Sequence, residues 1–299
     1  MAVSSVKNFD IKNLTSFKIG GKISEVFFPE NIEEFTQILN ENPEIRVFGN
    51  LSNTLISSLG YEGKIILTTK MNSVQIDGTR IIADCGVKGP KLSQIACEAG
   101  LSGFEFMIGF PGSVGGEIYM NASAHGQSIS DNLVSVTCLT QEGKIVKYSK
   151  EEMNFEYRKS RCSKDNLIVL QAEFELQPKT QEEIKSKMNE NLEFRKTHQP
   201  LLNLPNCGSI FKNPQNDSAG RLLDSIGAKS FTQGGVKVWE SHANFIVNNN
   251  NGTSTDVLEL MFKMYTEVKN KYNIKLSPEI IFLGGADEKE NELWQIMKK

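Results

Sequence analysis

The chain has 299 residues, of which 39% are hydrophobic and 23% charged, and its formal net charge is −3. These values are typical of a soluble globular protein with one large domain or two to three smaller ones, and the net charge argues against a general nucleic-acid binder. No run approaches the ~20 apolar residues of a membrane span, and the N-terminus lacks the apolar core of a signal peptide. The five widely spaced cysteines, with no Cys-x-x-Cys, predict reduced thiols in a cytoplasm, and the three scattered histidines predict no metal site.

The first part of the chain predicts a small β-α-β-β unit. Residues Asn31–Glu41 carry apolar side chains at helical spacing. Short apolar runs at Arg46–Phe48 and Ile65–Leu67 predict buried strands on either side of an irregular segment, Gly49–Asn53.

A hairpin and a helix follow. Asp77-Gly78 between two short apolar runs, Val74–Ile76 and Arg80–Ile82, is a strong hairpin signal. Pro90–Ala99 predicts a helix because proline suits a first turn and Gly100 suits a helix end.

The segment Gly109–Gly116 contains four glycines and one proline in eight residues. Such a run is unfavourable inside a helix or strand, because glycine weakens regular elements and proline removes a backbone donor. One interpretation is a solvent-exposed connection. The apolar residues in and after the run, Phe110, Val114, Ile118 and Met120, favour a cradle of backbone N–H groups for a phosphate-bearing cofactor.

The middle of the chain predicts antiparallel strands, because apolar residues alternate with polar ones over Val134–Cys138 and Ala172–Leu176. Thr180 and Glu183 form a capping-box pattern at the start of a polar helix. We place a domain boundary near Lys196.

The last third predicts two helices, two strands and a tail. These are the helix Ser218–Ile226 stopped by Gly227, the strand Ala243–Val247, a helix that contains Val257 and Val268, and the strand Glu279–Leu283. The charged tail, Gly285–Lys299, keeps apolar residues and is expected to dock back as a short helix.

Three short segments could carry chemistry, although neither a phosphate-loop motif nor a Gly-x-Gly-x-x-Gly helix start occurs. Cys207–Pro214 exposes Ser209 beside Lys212 and Asn213, but it also fits a strand edge. Tyr157–Arg161 offers a guanidinium for a carboxylate or phosphate, but it also fits solvated surface. Ser277–Glu279 puts a carboxylate before an apolar strand, where a simple cap is the alternative.

The order and spacing of these segments resemble the UDP-N-acetylenolpyruvoylglucosamine reductase (MurB) family. The resemblance runs from about Asn13 to Gly284 and rests above all on Pro-Gly-x-x-Gly-Gly-x-x-x-Met-Asn and Gly-Ser-x-Phe-Lys-Asn-Pro. Further blocks that match are Asn13–Gly21, Gly49–Asn53, Tyr157–Ser160, Ser241–Asn248 and Pro278–Gly284.

The resemblance implies an α+β fold with a two-part FAD-binding region of the non-Rossmann (PCMH/VAO-like) type and a smaller α+β substrate-binding domain. We expect FAD-binding subdomains at 1–69 and 70–196 and a substrate-binding domain at 197–284. The tail 285–299 is expected to dock on the first subdomain.

The family resemblance also implies non-covalent FAD, NADPH as co-substrate and a UDP-sugar substrate, with no nucleic-acid or membrane partner. Arg158, Ser209 and Glu279 would be catalytic: Arg158 as the partner of the substrate carboxylate, Glu279 as a polariser and Ser209 as proton donor. Lys212, Asn213 and His242 would contact substrate. The flavin pyrophosphate would lie on two loops: Gly49, Asn50, Leu51, Ser52 and Asn53, and Pro111, Gly112, Ser113, Val114, Gly115 and Gly116.

The chain departs from the family pattern at three positions. Leu51 replaces the middle glycine of Gly-x-Gly-Ser-Asn, Glu117 stands where alanine is common and could repel pyrophosphate or face solvent, and His198 replaces a frequent lysine. No tyrosine occurs between Tyr157 and Tyr265, which indicates the shorter family branch that lacks a tyrosine loop.

The family resemblance therefore predicts a cytoplasmic enzyme of peptidoglycan precursor synthesis, for which a monomer is a plausible state. Two alternatives stay open at this point. One is another FAD oxidoreductase of the same flavin-binding fold, and the other is a non-catalytic paralogue that binds a sugar nucleotide. The purified protein should be yellow if it is either the reductase or another FAD oxidoreductase.

Overall fold

The computed structural model describes residues 4–299, so the first three residues of the predicted subdomain 1–69 lie outside the described residues. Its α-helices are α1 Ile32–Glu41, α2 Gly89–Glu98, α3 Val114–Met120, α4 Arg161–Asp165, α5 Gln181–His198, α6 Ala219–Ser225, α7 Ser254–Tyr272 and α8 Glu288–Lys298.

The β-strands are numbered in chain order. They are β1 Ser5–Asp10, β2 Lys22–Phe27, β3 Arg46–Phe48, β4 Thr54–Ile56, β5 Tyr61–Leu67, β6 Val74–Asp77, β7 Arg80–Asp84, β8 Leu101–Ser102, β9 Ser123–Ala124, β10 Gln127–Ser128, β11 Leu133–Leu139, β12 Ile145–Ser149, β13 Ile168–Glu175, β14 Gln177–Pro178, β15 Asn206–Ser209, β16 Thr232–Gln233, β17 Val236–Trp239, β18 His242–Asn248 and β19 Ile281–Leu283.

The chain divides into two compact units. Among the described residues, the first contains 4–6, 26–50 and 65–194, and the second contains 7–25, 51–64 and 195–299. A four-stranded sheet has the order β1-β2-β5-β3, in which β3 and β5 run parallel. The predicted boundaries at residues 69, 196 and 284 stay predictions.

The first unit is built on a five-stranded antiparallel sheet in the order β12-β11-β13-β7-β6. The predicted hairpin is confirmed: β6 and β7 pair antiparallel, and Gly78 has a φ of +59° in their turn. Helix α3 lies against β13 and β7. The buried core of this unit includes Ile81, Ile118, Val136 and Phe174, none of which is exposed to solvent.

Helix ends in the first unit follow the predicted signals. Asn31 caps α1 by accepting from the Glu34 N–H, at 2.9 Å. Thr180 accepts from the Glu183 N–H at 3.3 Å, and the Glu183 carboxylate accepts from Thr180 N–H at 3.1 Å, so the predicted capping box at the start of α5 is confirmed. Side chains rather than water thus satisfy these backbone donors.

The second unit is built on a four-stranded antiparallel sheet in the order β15-β18-β17-β16. Helices α6 and α7 lie against this sheet, and α7 buries Val257, Met261, Met264 and Val268 in the core. A separate parallel pair joins β19 to β4.

The C-terminal tail forms α8 and packs on α7. Trp294 of the tail lies against Phe282, with ring centroids 5.7 Å apart. The buried Glu290 carboxylate accepts from Thr255 Oγ1 at 2.9 Å and from Ser254 Oγ, so these bonds tie the tail to the first turn of α7. The structure packs this tail on α7, and its expected docking on residues 1–69 stays a prediction.

Within residues 4–299, none of the helices has the length and apolar character that crossing a bilayer requires.

Candidate functional site

The glycine-rich segment is irregular only in its first half. A 3₁₀ turn ends at Gly109 and α3 begins at Val114, so the prediction of an irregular chain through Gly116 is wrong. Gly115 is needed for close packing and not for a turn, because a Cβ there would lie 2.9 Å from Cys85 Cβ. The N–H of Gly115 donates to Cys85 O at 2.8 Å, and that of Val114 to Val87 O at 2.9 Å. An anionic ligand at this segment would therefore rely on its other N–H groups.

The two loops predicted to cradle a cofactor meet within the first unit at Gly49 and Asn50. Asn50 Nδ2 donates to Pro111 O at 2.7 Å. A Cβ on Gly49 would overlap Ser113 Oγ, so glycine allows this approach without a shift of the Ser113 side chain. The juxtaposition predicted from the sequence is present for these residues.

Leu51 occupies the position of the family's middle glycine. It adopts a left-handed backbone, with a φ of +52°, and its side chain is buried. A left-handed conformation favours glycine and costs a leucine about 1–2 kcal/mol. The chain thus keeps the backbone geometry suited to glycine while burying a leucine side chain.

Ser52 and Asn53 belong to the second unit. Asn53 Nδ2 donates to Glu279 O at 3.0 Å, and Asn53 O accepts from the Ile281 N–H at 2.9 Å. Asn53, predicted to bind cofactor, therefore also holds the backbone of the predicted catalytic Glu279.

Three polar residues at four-residue spacing form a row along α3. Ser113 directly precedes the helix and Glu117 lies within it, and both are buried, whereas Asn121 directly follows the helix and is half-buried. Ser113 Oγ, both Glu117 carboxyl oxygens and Asn121 Oδ1 have no hydrogen-bond partner in the described part of the chain. Buried polar atoms normally have partners, so this row, beside glycines that admit close approach, fits a polar ligand such as a flavin nucleotide.

Glu117 does not face solvent, which corrects one of the two expectations for this position. Its side chain is 2% exposed, and burial raises its pKa to about 8. A Cβ on Gly112 or Gly89 would lie 2.8 or 2.6 Å from Glu117 Oε1, so the carboxyl lies against these two backbone positions. At neutral pH the group is mostly protonated and uncharged, which removes the charge that would repel a pyrophosphate.

Arg158 lies at the tip of a tight turn in the first unit. The turn is closed by two backbone hydrogen bonds between Glu156 and Lys159, of 3.1 and 3.2 Å, and Arg158 has a φ of +55°. Its guanidinium donates to Ser123 Oγ at 3.0 Å and lies 5.2 Å from the centroid of the Tyr157 ring.

The Arg158 turn is fastened to the C-terminal end of α3. Ser160 Oγ donates to Tyr119 O at 2.9 Å, and Asn121 Nδ2 donates to Glu156 O at 3.1 Å. Hydrogen bonds at the end of α3 therefore connect the glycine-rich motif to the Tyr-Arg-Lys-Ser motif, although the two motifs are far apart in the sequence.

Ser209 and Glu279 are brought together in the second unit. Ser209 ends β15, and the N–H of Glu279 donates to the carbonyl of the next residue, Ile210, at 2.8 Å. Phe211 and Pro278 form an antiparallel bridge beside this contact. The last strand begins at Ile281, two residues later than predicted, because the backbone of Glu279 bonds to Ile210.

Cys207, two residues before Ser209, is buried and lies near the Glu279 carboxylate. Burial, and then the Glu279 carboxylate, raise the pKa of the Cys207 thiol. The carboxylate therefore lies within electrostatic reach of this strand. Gly208, between Cys207 and Ser209, has a φ of +81° and open space where a Cβ would stand.

The three predicted substrate contacts have different roles in the fold. Lys212 is half-buried directly after Phe211. Asn213 Oδ1 accepts from the Ala219 N–H at 3.0 Å, which ties this loop to the start of α6. Burial lowers the pKa of His242, and its ring lies 4.8 Å from that of Phe245.

Sequence reasoning assigned no role to Asn244, which the structure places next to the Ser209 segment. Its buried side chain makes two hydrogen bonds to the backbone of Phe211. The available signal was an asparagine inside an otherwise apolar strand pattern, where a buried amide needs partners.

No group of three or more His, Cys, Asp or Glu side chains among residues 4–299 is arranged to hold a metal ion.

Comparison with known proteins identifies two family models in the chain. The FAD binding domain matches residues 23–149, and the C-terminal domain of UDP-N-acetylenolpyruvoylglucosamine reductase matches 199–283. The proposed cradle loops up to Gly116 lie in the first match, and Ser209 and Glu279 lie in the second.

Relatives and a solved structure agree with these matches. The chain is 38% identical to UDP-N-acetylenolpyruvoylglucosamine reductase of Caldicellulosiruptor saccharolyticus, over 99% of this chain and 96% of that one. It is 39% identical to the reductase of Carboxydothermus hydrogenoformans, over 93% and 94%. The crystal structure of MurB from Thermus caldophilus superposes with a TM-score of 0.79 at 32% identity and covers 95% of this chain and 100% of that one. The α+β fold class is confirmed, and the chain belongs to the UDP-N-acetylenolpyruvoylglucosamine reductase family.

Proposed function

We propose that this protein uses FAD and NADPH to reduce the enolpyruvyl group of UDP-N-acetylglucosamine enolpyruvate, giving UDP-N-acetylmuramate for peptidoglycan synthesis. The observation that carries the proposal is the backbone contact that sets Glu279 beside the Ser209 segment, in a chain of this family. Because NADPH and nucleotide sugars are cytoplasmic metabolites, we place the reaction in the cytoplasm, and a monomer suffices for it.

The cofactor would be held without a covalent bond by the loops 49–53 and 111–116. Gly49 and Gly112 allow close approach, and the unpartnered Ser113 Oγ and Asn121 Oδ1 offer polar contacts. When bound, FAD supplies the hydride that it takes from NADPH. Glu117 contributes an uncharged carboxyl beneath this loop at neutral pH.

Charge develops on the substrate carbon beside the carboxylate when hydride adds to the vinyl CH₂. Arg158 is the proposed partner of that carboxylate, and its turn is preorganised by the bonds to α3 and to Ser123. Groups fixed before the reaction stabilise such charge better than water, because they need not reorganise. Glu279 is the proposed polariser of the same region.

Ser209 would then deliver a proton to that carbon. A serine hydroxyl is a weak acid in water, so its effectiveness depends on its position relative to the substrate. The bonds that tie Ile210 to Glu279 fix the backbone next to Ser209. Lys212, Asn213 and His242 are the proposed contacts to the remainder of the UDP-sugar.

The proposal is tested with Ser209→Ala. We expect flavin reduction by NADPH to remain within about 2-fold of wild type, because that step needs no proton from Ser209. Reoxidation of the reduced flavin by the enolpyruvyl substrate should fall by about 10²–10⁴-fold, the usual contribution of a general acid. Rapid mixing with anaerobic protein measures both steps.

Ser225→Ala is a matched control, since Ser225 lies in the same unit and its hydroxyl bonds to residues with no proposed role in the reaction: it donates to Leu222 O at 2.6 Å and accepts from the Tyr272 hydroxyl at 2.7 Å. Equal loss of both steps in Ser209→Ala would show a structural role for Ser209. Reoxidation at the wild-type rate would exclude Ser209 as the proton donor.

A further inference from the structure

We propose that Asn244 is a positioning residue for proton transfer by Ser209 and acts through the backbone of Ile210 and Phe211. The inference rests on the proposed role of Ser209. Asn244 lies inside β18 and is 3% exposed.

The side-chain amide of Asn244 replaces a missing strand partner. Its Oδ1 accepts from the Phe211 N–H at 3.0 Å, and its Nδ2 donates to Phe211 O at 2.8 Å. One amide therefore satisfies both backbone groups of a residue that is 1% exposed. Only a side chain with a donor and an acceptor on the same planar group can do this.

A register shift explains why such a partner is needed. Asn206 pairs with Val247 and Ser209 pairs with Phe245, so β15 uses one residue more than β18 between these pairs. The extra residue makes a bulge, and Gly208 within it has a φ of +81°. β15 ends at Ser209, the last backbone bond to β18 is the one from the Ile210 N–H to Asn244 O, and the Asn244 side chain then bonds to Phe211.

Ile210 is consequently held from two sides. Its N–H donates to Asn244 O at 2.9 Å, while its carbonyl accepts from the Glu279 N–H at 2.8 Å. Backbone hydrogen bonds to Asn244 and Glu279 therefore fix the peptide segment that directly follows Ser209. Any shift of this segment changes where the Ser209 hydroxyl stands relative to Glu279.

The Asn244→Asp variant isolates this effect. Aspartate has nearly the same shape, but at a pH where its carboxyl is ionised it cannot donate to Phe211 O, so the Phe211 carbonyl then loses its partner and faces a negative charge. We expect flavin reduction by NADPH and the substrate KM to remain within about 3-fold of wild type. Reoxidation by the enolpyruvyl substrate should fall by about 100-fold, since misplacement by about 1 Å can cost this much.

Asn248→Asp is the matched control. Asn248 lies on the same strand, and its Nδ2 donates to Phe17 O at 3.1 Å while its Oδ1 accepts from the Gly252 N–H at 2.8 Å. It contacts no part of the Ser209 segment through these bonds. The control should lose a similar amount of thermal stability and keep the reoxidation rate.

The solvent isotope effect on reoxidation distinguishes positioning from a general loss of stability. In Asn244→Asp it should increase, because delivery of the proton becomes rate-limiting, and in Asn248→Asp it should stay at the wild-type value. If Asn244→Asp does not fold, Asn244→Ser measured at lower temperature replaces it, with the same expected split between the two steps.

Reoxidation at the wild-type rate in a folded Asn244 variant would overturn the inference. So would equal slowing in the Asn244 and Asn248 variants. If Ser209→Ala itself leaves reoxidation unchanged, the proposed function fails instead. If Ser209→Ala slows reoxidation and the Asn244 variants do not, only the present inference fails.

Discussion

Glu117 is the residue whose buried state has the clearest thermodynamic consequence. Burial raises its pKa from 4.5 to about 8. The folded protein therefore keeps a proton that the unfolded chain loses above pH 4.5. Stability then falls as pH rises between these two values, by up to about 1.4 kcal/mol per pH unit, and this contribution is constant above pH 8.

We expect Glu117→Gln to remove this pH dependence. Glutamine resembles the protonated carboxyl in shape and does not titrate. The free energy of unfolding of the variant should therefore be about 1–3 kcal/mol higher than that of the wild type at pH 7. Urea unfolding at pH 5, 7 and 9 measures the difference in the free energy of unfolding between the variant and the wild type. This difference should be smallest at pH 5.

Glu105→Gln is the control for this experiment. Glu105 is also buried, but its carboxylate accepts from Ser102 Oγ at 2.6 Å and from the Gly103 N–H at 2.8 Å. Its replacement should cost stability, because charge-assisted hydrogen bonds are lost. A Glu117→Gln variant that is destabilised at pH 7, as Glu105→Gln should be, would contradict the account of Glu117.

For single residues, the sequence predicted which positions are candidates for the site more readily than it predicted their burial or backbone conformation. The family blocks led to Arg158, Ser209 and Glu279 by position. Burial of Glu117 could not be predicted, because the helix that turns it inward was read as an irregular glycine segment. The left-handed backbone of Leu51 was also hidden, since leucine at a positive φ is uncommon.

Among the elements, α3 connects most of the first unit's candidate residues. Its start packs on Cys85 through Gly115, its middle buries Glu117, and its end holds the Arg158 turn through Tyr119 and Asn121. A change in where α3 begins would therefore affect both the proposed cradle and the Arg158 turn.

Gly115→Ala tests this packing. The added Cβ would lie 2.9 Å from Cys85 Cβ and 3.2 Å from Cys85 O, so helix or strand must shift. We expect a loss of about 1–3 kcal/mol in stability, the usual cost of overpacking, together with lower flavin content in the purified protein.

Gly116→Ala provides a comparison within the same helix turn. The nearest atom to its added Cβ is Ser113 Oγ at 3.8 Å, an ordinary contact. Stability should be unchanged or slightly higher, because alanine favours a helix. If the Gly115→Ala variant is as stable as the Gly116→Ala variant, close packing of α3 on Cys85 does not contribute to stability.

The elements predicted from periodicity and caps are mostly present. Helix α7 was identified from its apolar spacing, and α6 ends before Gly227, which has a φ of +73°. The failures have a common cause: tertiary contacts override local preference. Gly115 lies inside a helix, where it packs against Cys85, and Glu279 stays outside β19 because its N–H bonds to Ile210.

Across the whole molecule, the candidate residues belong to two units of the chain. Gly49, Asn50, the segment 111–116 and Arg158 belong to the first, and Ser209 and Glu279 belong to the second. The family could be predicted because its motifs keep their order along the sequence. The bulge at Gly208 and the side-chain pairing by Asn244 could not, since both depend on register between strands that the sequence does not specify.

The central claim is that this chain passes electrons from NADPH to an enolpyruvyl sugar nucleotide, and anaerobic absorbance spectroscopy of the purified protein tests it most directly. The protein should be yellow, lose its flavin absorbance on addition of one equivalent of NADPH, and regain it on addition of UDP-N-acetylglucosamine enolpyruvate. UDP-N-acetylglucosamine without the enolpyruvyl group should leave the reduced spectrum unchanged. A colourless protein that FAD does not reconstitute, or a reduced flavin that the enolpyruvyl substrate does not reoxidise, would contradict the account.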